Sequence, residues 1–375
     1  MTQQFDIIIV GAGMAGASLA AEIGSAASVL LIEAEEQPGY HSTGRSAAFW
    51  SETYGGPLIQ PLTAASRAFL ASPPPDFCER PFLSPRGAIH VAGGEAGKRL
   101  LDEMEAAFAG SVQLERVTRS DLIAQVPGLR AGWDEGLSEP SCRDIDVAAL
   151  HGAYLKRAQR SGVQRRTSAR LLAAERTDGV WTMTTAGGGY RAGLLVNAAG
   201  AWADEVARLC GAQPLSIQPY RRTVVQLQVD PAASHDMPLM MDAEGRFYLK
   251  PEAGGRLWLS PHDETPCPAG DCWAEEMDIA IAIDRFERFA DWRIVKVERS
   301  WAGLRSFAPD RLPVYGFDTL REGFFWFAGQ GGFGIQTAPA AAMIGASLLL
   351  GRPADPMVAH IGARSFSPAR FSEGA

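Results

Sequence analysis

The chain has 375 residues, 46% of them hydrophobic, and a formal net charge of −8. That length suits two domains sharing one body. The acidic balance (pI near 5.4) argues against a nucleic-acid or anionic-membrane partner, because the Arg165-Arg166 and Arg221-Arg222 doublets are too short to make a basic tract or stripe.

In chain order, Phe5-Asp6-Ile7-Ile8-Ile9-Val10 is a short β-branched run that predicts a buried strand. Gly11-Ala12-Gly13-Met14-Ala15-Gly16 follows at once, then an Ala-rich helix to about Ile23. A second apolar run over residues 29–32 ends in Glu33, 22 residues after Gly11. Strand, glycine turn, helix, strand and acid stand in the order of a dinucleotide-binding unit. Gly11 makes the tight turn, Gly13 lets a pyrophosphate approach the backbone, and Gly16 lets helix and strand pack closely. The N–H groups of the first helical turn face the phosphate charge, and Glu33 is placed to hold a ribose diol. The fingerprint leaves NAD and FAD both open.

A loop dense in small and hydroxyl residues comes next, His41-Ser42-Thr43-Gly44-Arg45-Ser46-Ala47-Ala48, where backbone can lie flat against a planar ring system. A helix is expected over 62–70, stopped by Pro73-Pro74-Pro75. A strand is expected over 82–91 around Pro85 and Gly87. An exposed amphipathic helix is expected over 95–109, with Leu100, Leu101, Met104 and Phe108 on one side, and a further helix over 146–160. Residues 180–185 and 190–196 flank Gly187-Gly188-Gly189 as a hairpin, whose second strand ends in Asn197-Ala198-Ala199-Gly200-Ala201-Trp202. Strands at 221–229 and 245–260 precede an acidic helix over 273–289. An aromatic strand at 324–328 runs into Gly329-Gln330-Gly331-Gly332-Phe333-Gly334 and a long Ala-rich helix.

Strand-to-glycine-turn units therefore recur near residues 11, 200 and 330. The expected division is a nucleotide domain over 1–48, 142–214 and 300–375, with a second domain over 49–141 and 215–299. Such interleaving suits a long FAD lying between two domains. The last glycine turn, opening a helix, offers N–H donors and a positive dipole end to a developing negative charge. Five scattered cysteines without a CxxC imply no disulfide framework. His262, Cys267 and Cys272 match no common zinc spacing and read as a surface loop, so no metal is expected. No basic segment precedes an apolar stretch at the start, and residues 339–350 are too short for a bilayer span. A cytoplasmic protein is expected.

The N-terminal fingerprint, Ser42-Thr43-Gly44-Arg45-Ser46, Asn197-Ala198-Ala199-Gly200 and Gly329-Gln330-Gly331-Gly332 resemble the flavin-contacting motifs of the D-amino-acid oxidase-like (glycine oxidase/sarcosine oxidase) superfamily. Within it, residues 41–48, 62–69, 301–307 and 334–337 are similar to the bacterial D-arginine dehydrogenases, so the likeness runs over nearly the whole chain. It implies an α/β plus β fold: a Rossmann-like (GR2-type) FAD-binding domain interleaved with an antiparallel-sheet substrate domain. It implies FAD held by Gly11, Ala12, Gly13, Met14, Ala15, Gly16, Glu33, Ala34, His41, Ser42, Thr43, Gly44, Arg45, Ser46, Ala47, Ala48, Ala199, Gly200, Trp202, Arg305, Gly331, Gly332, Phe333, Gly334, Ile335, Gln336 and Thr337. No cysteine lies beyond Cys272, so the FAD is expected to be non-covalent.

The resemblance further implies an amino-acid carboxylate held by Arg222, Arg305 and Tyr248, the substrate amine at the Gly332 backbone, and Tyr54 on a mobile lid hinged at Gly55-Gly56. Phe49, Trp50, Ala88, His90 and Met241 are expected to line the side-chain pocket. Two departures stand out: Ala88 replaces the glutamate that grips a guanidinium, and Phe49 replaces a histidine. A cationic tail without a carboxylate partner is disfavoured, so a neutral D-amino acid is expected, oxidised to a 2-oxo acid and ammonia by a dehydrogenase. Glu52, Asp242 or Glu244 would restore an acidic contact from another loop. An oxidase, or an enzyme for N-methyl or cyclic amino acids or 2-hydroxy acids, stays open, as does the electron acceptor (a quinone, another carrier or O2).

Overall fold

The computed structural model describes residues 3–371; the outermost ends of the expected nucleotide domain, residues 1–2 and 372–375, lie outside the described residues. Two large sheets organise them. In the eight-stranded sheet, Gln3–Val10 runs parallel between Gly188–Asn197 and Val29–Ile32, with Val10 opposite both Asn197 and Ile32. Gln164–Arg166 extends it beyond Val29–Ile32, and Phe324–Ala328 pairs in parallel with Gly188–Asn197. Residues 7–10, Val29–Ile32 and Phe324–Ala328 are continuous apolar runs because both faces are covered. Helices Met14–Ile23, Val147–Arg160 and Ala338–Leu350 bury one face around Leu19, Tyr154 and Ile344. Trp181, Val206 and Trp326 fill the other. The parallel strands stop together at Val10, Ile32 and Asn197, so their turns project from one edge, the place where such sheets bind ligands.

The second sheet has ten strands, nearly all antiparallel. Its spine is the pairing of Gln218–Asp230 with Arg293–Phe307, which sets Arg222 opposite Gly303 and Tyr220 opposite Arg305. Arg256–Ser260, Tyr248–Glu252, Leu239–Asp242, Ala88–Gly93, Trp133–Glu139 and Glu115–Thr118 follow in spatial order. Helix Glu276–Phe289 covers the far face, where Phe286 and Phe289 pack with Trp133 and Phe247. A three-stranded sheet of Phe49–Trp50, Arg143–Ile145 and Leu83–Pro85 stands beside them.

Three expectations shift. The strand expected over 82–91 is two strands in different sheets, because Pro85 and Gly87 break it. The acidic helix starts at Glu276, leaving Trp273 exposed. Arg293–Phe307 runs unbroken through the boundary drawn at residue 300, so residues 300–307 and the short strand Gln330–Gly331 belong to the second sheet. Among the described residues no helix is long and apolar enough to cross a membrane.

Candidate functional site

At the carboxyl edge of the first sheet lies a cleft of about 240 Å³, lined by residues of both large sheets. Gly11 turns the chain out of the first strand at φ +102°, and a Cβ there would lie 2.5 Å from the Ala198 carbonyl oxygen. A Cβ at Gly16 would collide with the Gly11 carbonyl oxygen, so helix and turn meet only through glycine. No side chain caps Met14–Ile23, although Met14 N–H donates to Thr43 Oγ1 at 3.0 Å. The Glu33 carboxylate accepts the Ala12 N–H (2.9 Å) and the Glu35 N–H (3.0 Å), fixing the acid against the turn. His151 supports the same turn through Nε2, 2.9 Å from the Ala12 carbonyl, and burial pushes its pKa down, which keeps it neutral.

Gly11, Gly13, Met14, Ala15, Glu33, Ala34, His41, Ser42, Thr43, Arg45, Ser46 and Ala47 line the cleft, as do Ala199, Gly200, Trp202, Arg305, Gly331, Gly332, Gly334 and Ile335. The 41–47 segment is a tie between the sheets. Ser42 Oγ donates to the Leu304 carbonyl (2.6 Å), Arg45 donates to the Cys272 carbonyl (2.7 Å), and Trp301 Nε1 donates to the Arg45 carbonyl (2.9 Å). His41 packs on Trp202 at 4.6 Å between ring centres.

The other residues expected at the cofactor stand behind this wall. Ala12, Gly16 and Gly44 shape the turns, Ala48 enters the small sheet, and Phe333 packs against Phe307. Thr337 bonds the Phe333 carbonyl (2.9 Å). Gln336 is buried and faces away, its amide accepting from Ser51 N–H (3.1 Å) and donating to Ser51 O, Tyr54 O and Thr63 Oγ1. The Ala-rich helix begins only at Ala338, so a turn over 332–337 separates the glycines from the helix end expected beside them.

Arg222, Tyr248 and Arg305 meet at the inner end of the cleft, delivered by three strands of the second sheet. Arg222 is buried; its Nε donates to the Asp263 carbonyl (2.8 Å), Nη2 lies 3.3 Å from Glu264, and Nη1 is buried without a partner among the described residues. Burial, then the neighbouring Arg305 charge, push its pKa down. The Arg305 guanidinium and the Tyr54 hydroxyl converge on Gly332: a Cβ there would lie 2.8 Å from Arg305 Nη1 and 3.0 Å from Tyr54 Oη. Tyr54, Phe49 and Tyr248 form an aromatic wall, with ring centres 5.0 and 6.1 Å apart. Ala88, Val224, Leu239 and Met241 complete an apolar cluster around them.

Two of the expected pocket residues are elsewhere. Trp50 is fully buried with its Nε1 donating to the Thr63 carbonyl (3.0 Å), beneath Arg67, because its strand turns that face toward the helices. His90 lies 3.0 Å from Thr53 Oγ1, and burial pushes its pKa down to about 4. The acids considered as substitutes at Ala88 all have partners: Glu52 accepts from Gln60, while Asp242 and Glu244 both pair with Arg246.

One residue escaped sequence reasoning, and His262, read as part of a surface loop, stands against the clamp instead. Buried Glu139 bonds the segment before Tyr54. His262 sits at φ +55° with Nδ1 2.8 Å from the Gly245 carbonyl and its ring edge-on to Tyr248 at 5.8 Å. Burial, then the Arg222 and Arg305 charges, push the His262 pKa down to about 3. No local pattern marks Glu139, and none gives His262 this place; strand pairing and loop geometry bring them in.

Gly11 and Gly16, whose Cβ positions are taken by backbone, a helix start at the cleft wall, and Glu33 within the same cleft fit a bound dinucleotide. The family model for FAD-dependent oxidoreductases (DAO) matches residues 6–348. The chain is 26% identical over 367 residues to glycine oxidase of Pseudomonas aeruginosa, covering 92% of this chain and 95% of that protein. It is 30% identical over 141 residues to mitochondrial dimethylglycine dehydrogenase of Homo sapiens, covering 37% of this chain but 16% of that protein's length. The crystal structure of glycine oxidase from Geobacillus kaustophilus matches with a TM-score of 0.83 at 22% identity over 98% of each chain, a likeness of fold. The chain belongs to the FAD-dependent oxidoreductase (DAO) family, and its cofactor is FAD.

Proposed function

We propose that this protein is an FAD-dependent D-amino acid dehydrogenase that converts a neutral, apolar D-amino acid to its 2-oxo acid and ammonia. The observation that carries the reading is the pair of converging guanidiniums, Arg222 and Arg305, at the inner end of the cleft, with Arg222 Nη1 buried and unpartnered. A buried donor of that kind calls for an anionic acceptor. A carboxylate between the two arginines, with the Tyr54 and Tyr248 hydroxyls beside it, meets that need; each charge-assisted bond contributes about 1.5–3 kcal/mol.

The Gly11–Gly16 turn, Glu33, residues 41–47, Ala199-Gly200 and Gly331-Gly332 would hold FAD, which when bound supplies the acceptor for the Cα hydride. The chain's own work is orientation and electrostatics. The clamp fixes the carboxylate, the Gly332 backbone receives the amine, and Phe49, Ala88, Val224 and Met241 enclose an apolar side chain while keeping water out. No acidic group among those wall residues answers a cationic tail, which disfavours arginine-like substrates. The D configuration and the dehydrogenase reaction, with a quinone or other carrier as acceptor, rest on the likeness to D-arginine dehydrogenases. The glycine oxidase relative favours a second reading, an oxidase passing electrons to O2. We place the protein in the cytoplasm on its scattered cysteines, none of them disulfide-bonded.

An anaerobic panel of D- and L-amino acids, scored by bleaching of the flavin band, tests this. Neutral apolar D-amino acids should bleach the flavin fastest. Bleaching by L-amino acids alone would overturn the stereochemical assignment, and rapid reoxidation in air with peroxide release would make the enzyme an oxidase.

A further inference from the structure

Glu139 ends the strand Trp133–Glu139 and is fully buried. Every group that bonds its carboxylate is a neutral donor. Oε2 accepts the hydroxyls of Ser51 (2.8 Å) and Thr53 (2.6 Å); Oε1 accepts the Glu52 N–H (2.7 Å) and, at 3.4 Å, the Ser141 hydroxyl. A buried carboxylate without a cation is costly, and burial pushes its pKa up. Three of its four donors are consecutive residues, 51–53, directly before Tyr54. Thr53 is braced from the other side by His90, and Gln336 holds Ser51 and the Tyr54 carbonyl. Ser51, Glu52 and Thr53 are buried, whereas Gly55, Pro57 and Leu58 just beyond are exposed.

We propose that Glu139 is a positioning residue of the carboxylate clamp: it pins residues 51–53 so that the Tyr54 hydroxyl is presented to Arg305 beside Gly332. Residues 51–54 are then a fixed platform rather than a moving lid, and any motion over the site belongs to the tip at 55–58, which Gly55-Gly56 opens. The inference rests on the amino-acid-oxidising reading above, since it takes the clamp to hold a substrate carboxylate.

The test is a double-mutant cycle on the FAD-loaded protein, with isobutyrate as a carboxylate probe and the flavin absorbance change as readout. Glu139→Ala should weaken isobutyrate binding about tenfold at unchanged FAD content, a coupling within the range of contacting residues. In a Tyr54→Phe background the same substitution should change binding less than about twofold. An equal penalty in both backgrounds, or none, would overturn the proposal. Thr53→Val, which keeps shape and removes the bridging hydroxyl, carries the same cycle if Glu139→Ala does not fold. Wild-type protein that binds no isobutyrate, or Arg305→Ala protein that binds it as well as wild type, would instead sink the underlying functional reading and the proposal with it.

Discussion

Arg222 and Arg305 direct like charges into one corner, where Glu264 offsets part of the Arg222 charge and Nη1 is left for an arriving anion. Each side chain is held by its own strand, and Arg222 is further fixed through Asp263 and Glu264. Arg305→Ala should therefore cut kcat/KM for the best amino acid by at least about tenfold, and by a hundredfold or more if both charge-assisted bonds are lost, with FAD content unchanged; turnover at the wild-type rate would refute the clamp. Gly332 is the complementary case. Its Cβ position is taken by the ends of two flexible side chains, so Gly332→Ala should displace Arg305 and Tyr54 and raise KM severalfold while leaving the melting temperature nearly unchanged. A large fall in melting temperature without a KM change would show that the backbone, not the clamp, needs the glycine.

At the scale of elements, the helix Met14–Ile23 approaches the first strand through Gly16, where the obstacle is the Gly11 carbonyl rather than a movable side chain. Gly16→Ala should open that contact, lower stability by about 1–3 kcal/mol as an overpacked core does, and lose FAD on gel filtration. Retained FAD would mean that the turn can shift without losing its N–H geometry. This unit was readable from residues alone because every part of it is local: a β-branched strand, three glycines, an Ala-rich helix and an acid within 33 residues. Gln336 and Trp50 show the limit. Both lie in runs that match cofactor- or pocket-lining segments, yet each side chain points to the opposite side of its backbone, a choice made by packing against Thr63.

Over the whole molecule, the cleft is walled by both large sheets, so a ligand filling it ties them together. Binding to the folded state alone stabilises by about 2.7 kcal/mol at a hundredfold excess over Kd. For a chain of this length that corresponds to a rise of roughly 3 °C in melting temperature when FAD is restored to stripped protein. A shift of that size or more by differential scanning fluorimetry is expected; none would mean that the cleft does not hold FAD in the folded state.

The sequence by itself carried the nucleotide-binding unit, because glycine spacing and strand-helix periodicity act over short stretches of chain, while the family and the cofactor came from the resemblance of its motifs. Only the tertiary structure decided the composition of the substrate corner. Arg222, Tyr248 and Arg305 come from three separate strands, and sheet register and strand order decide that their side chains converge, while Tyr54 reaches Arg305 from a turn. The same holds for Glu139, opposite Ala88 in the pairing of its strand: its bonds to residues 51–53 span more than 80 residues of sequence, a separation across which no local pattern carries a signal.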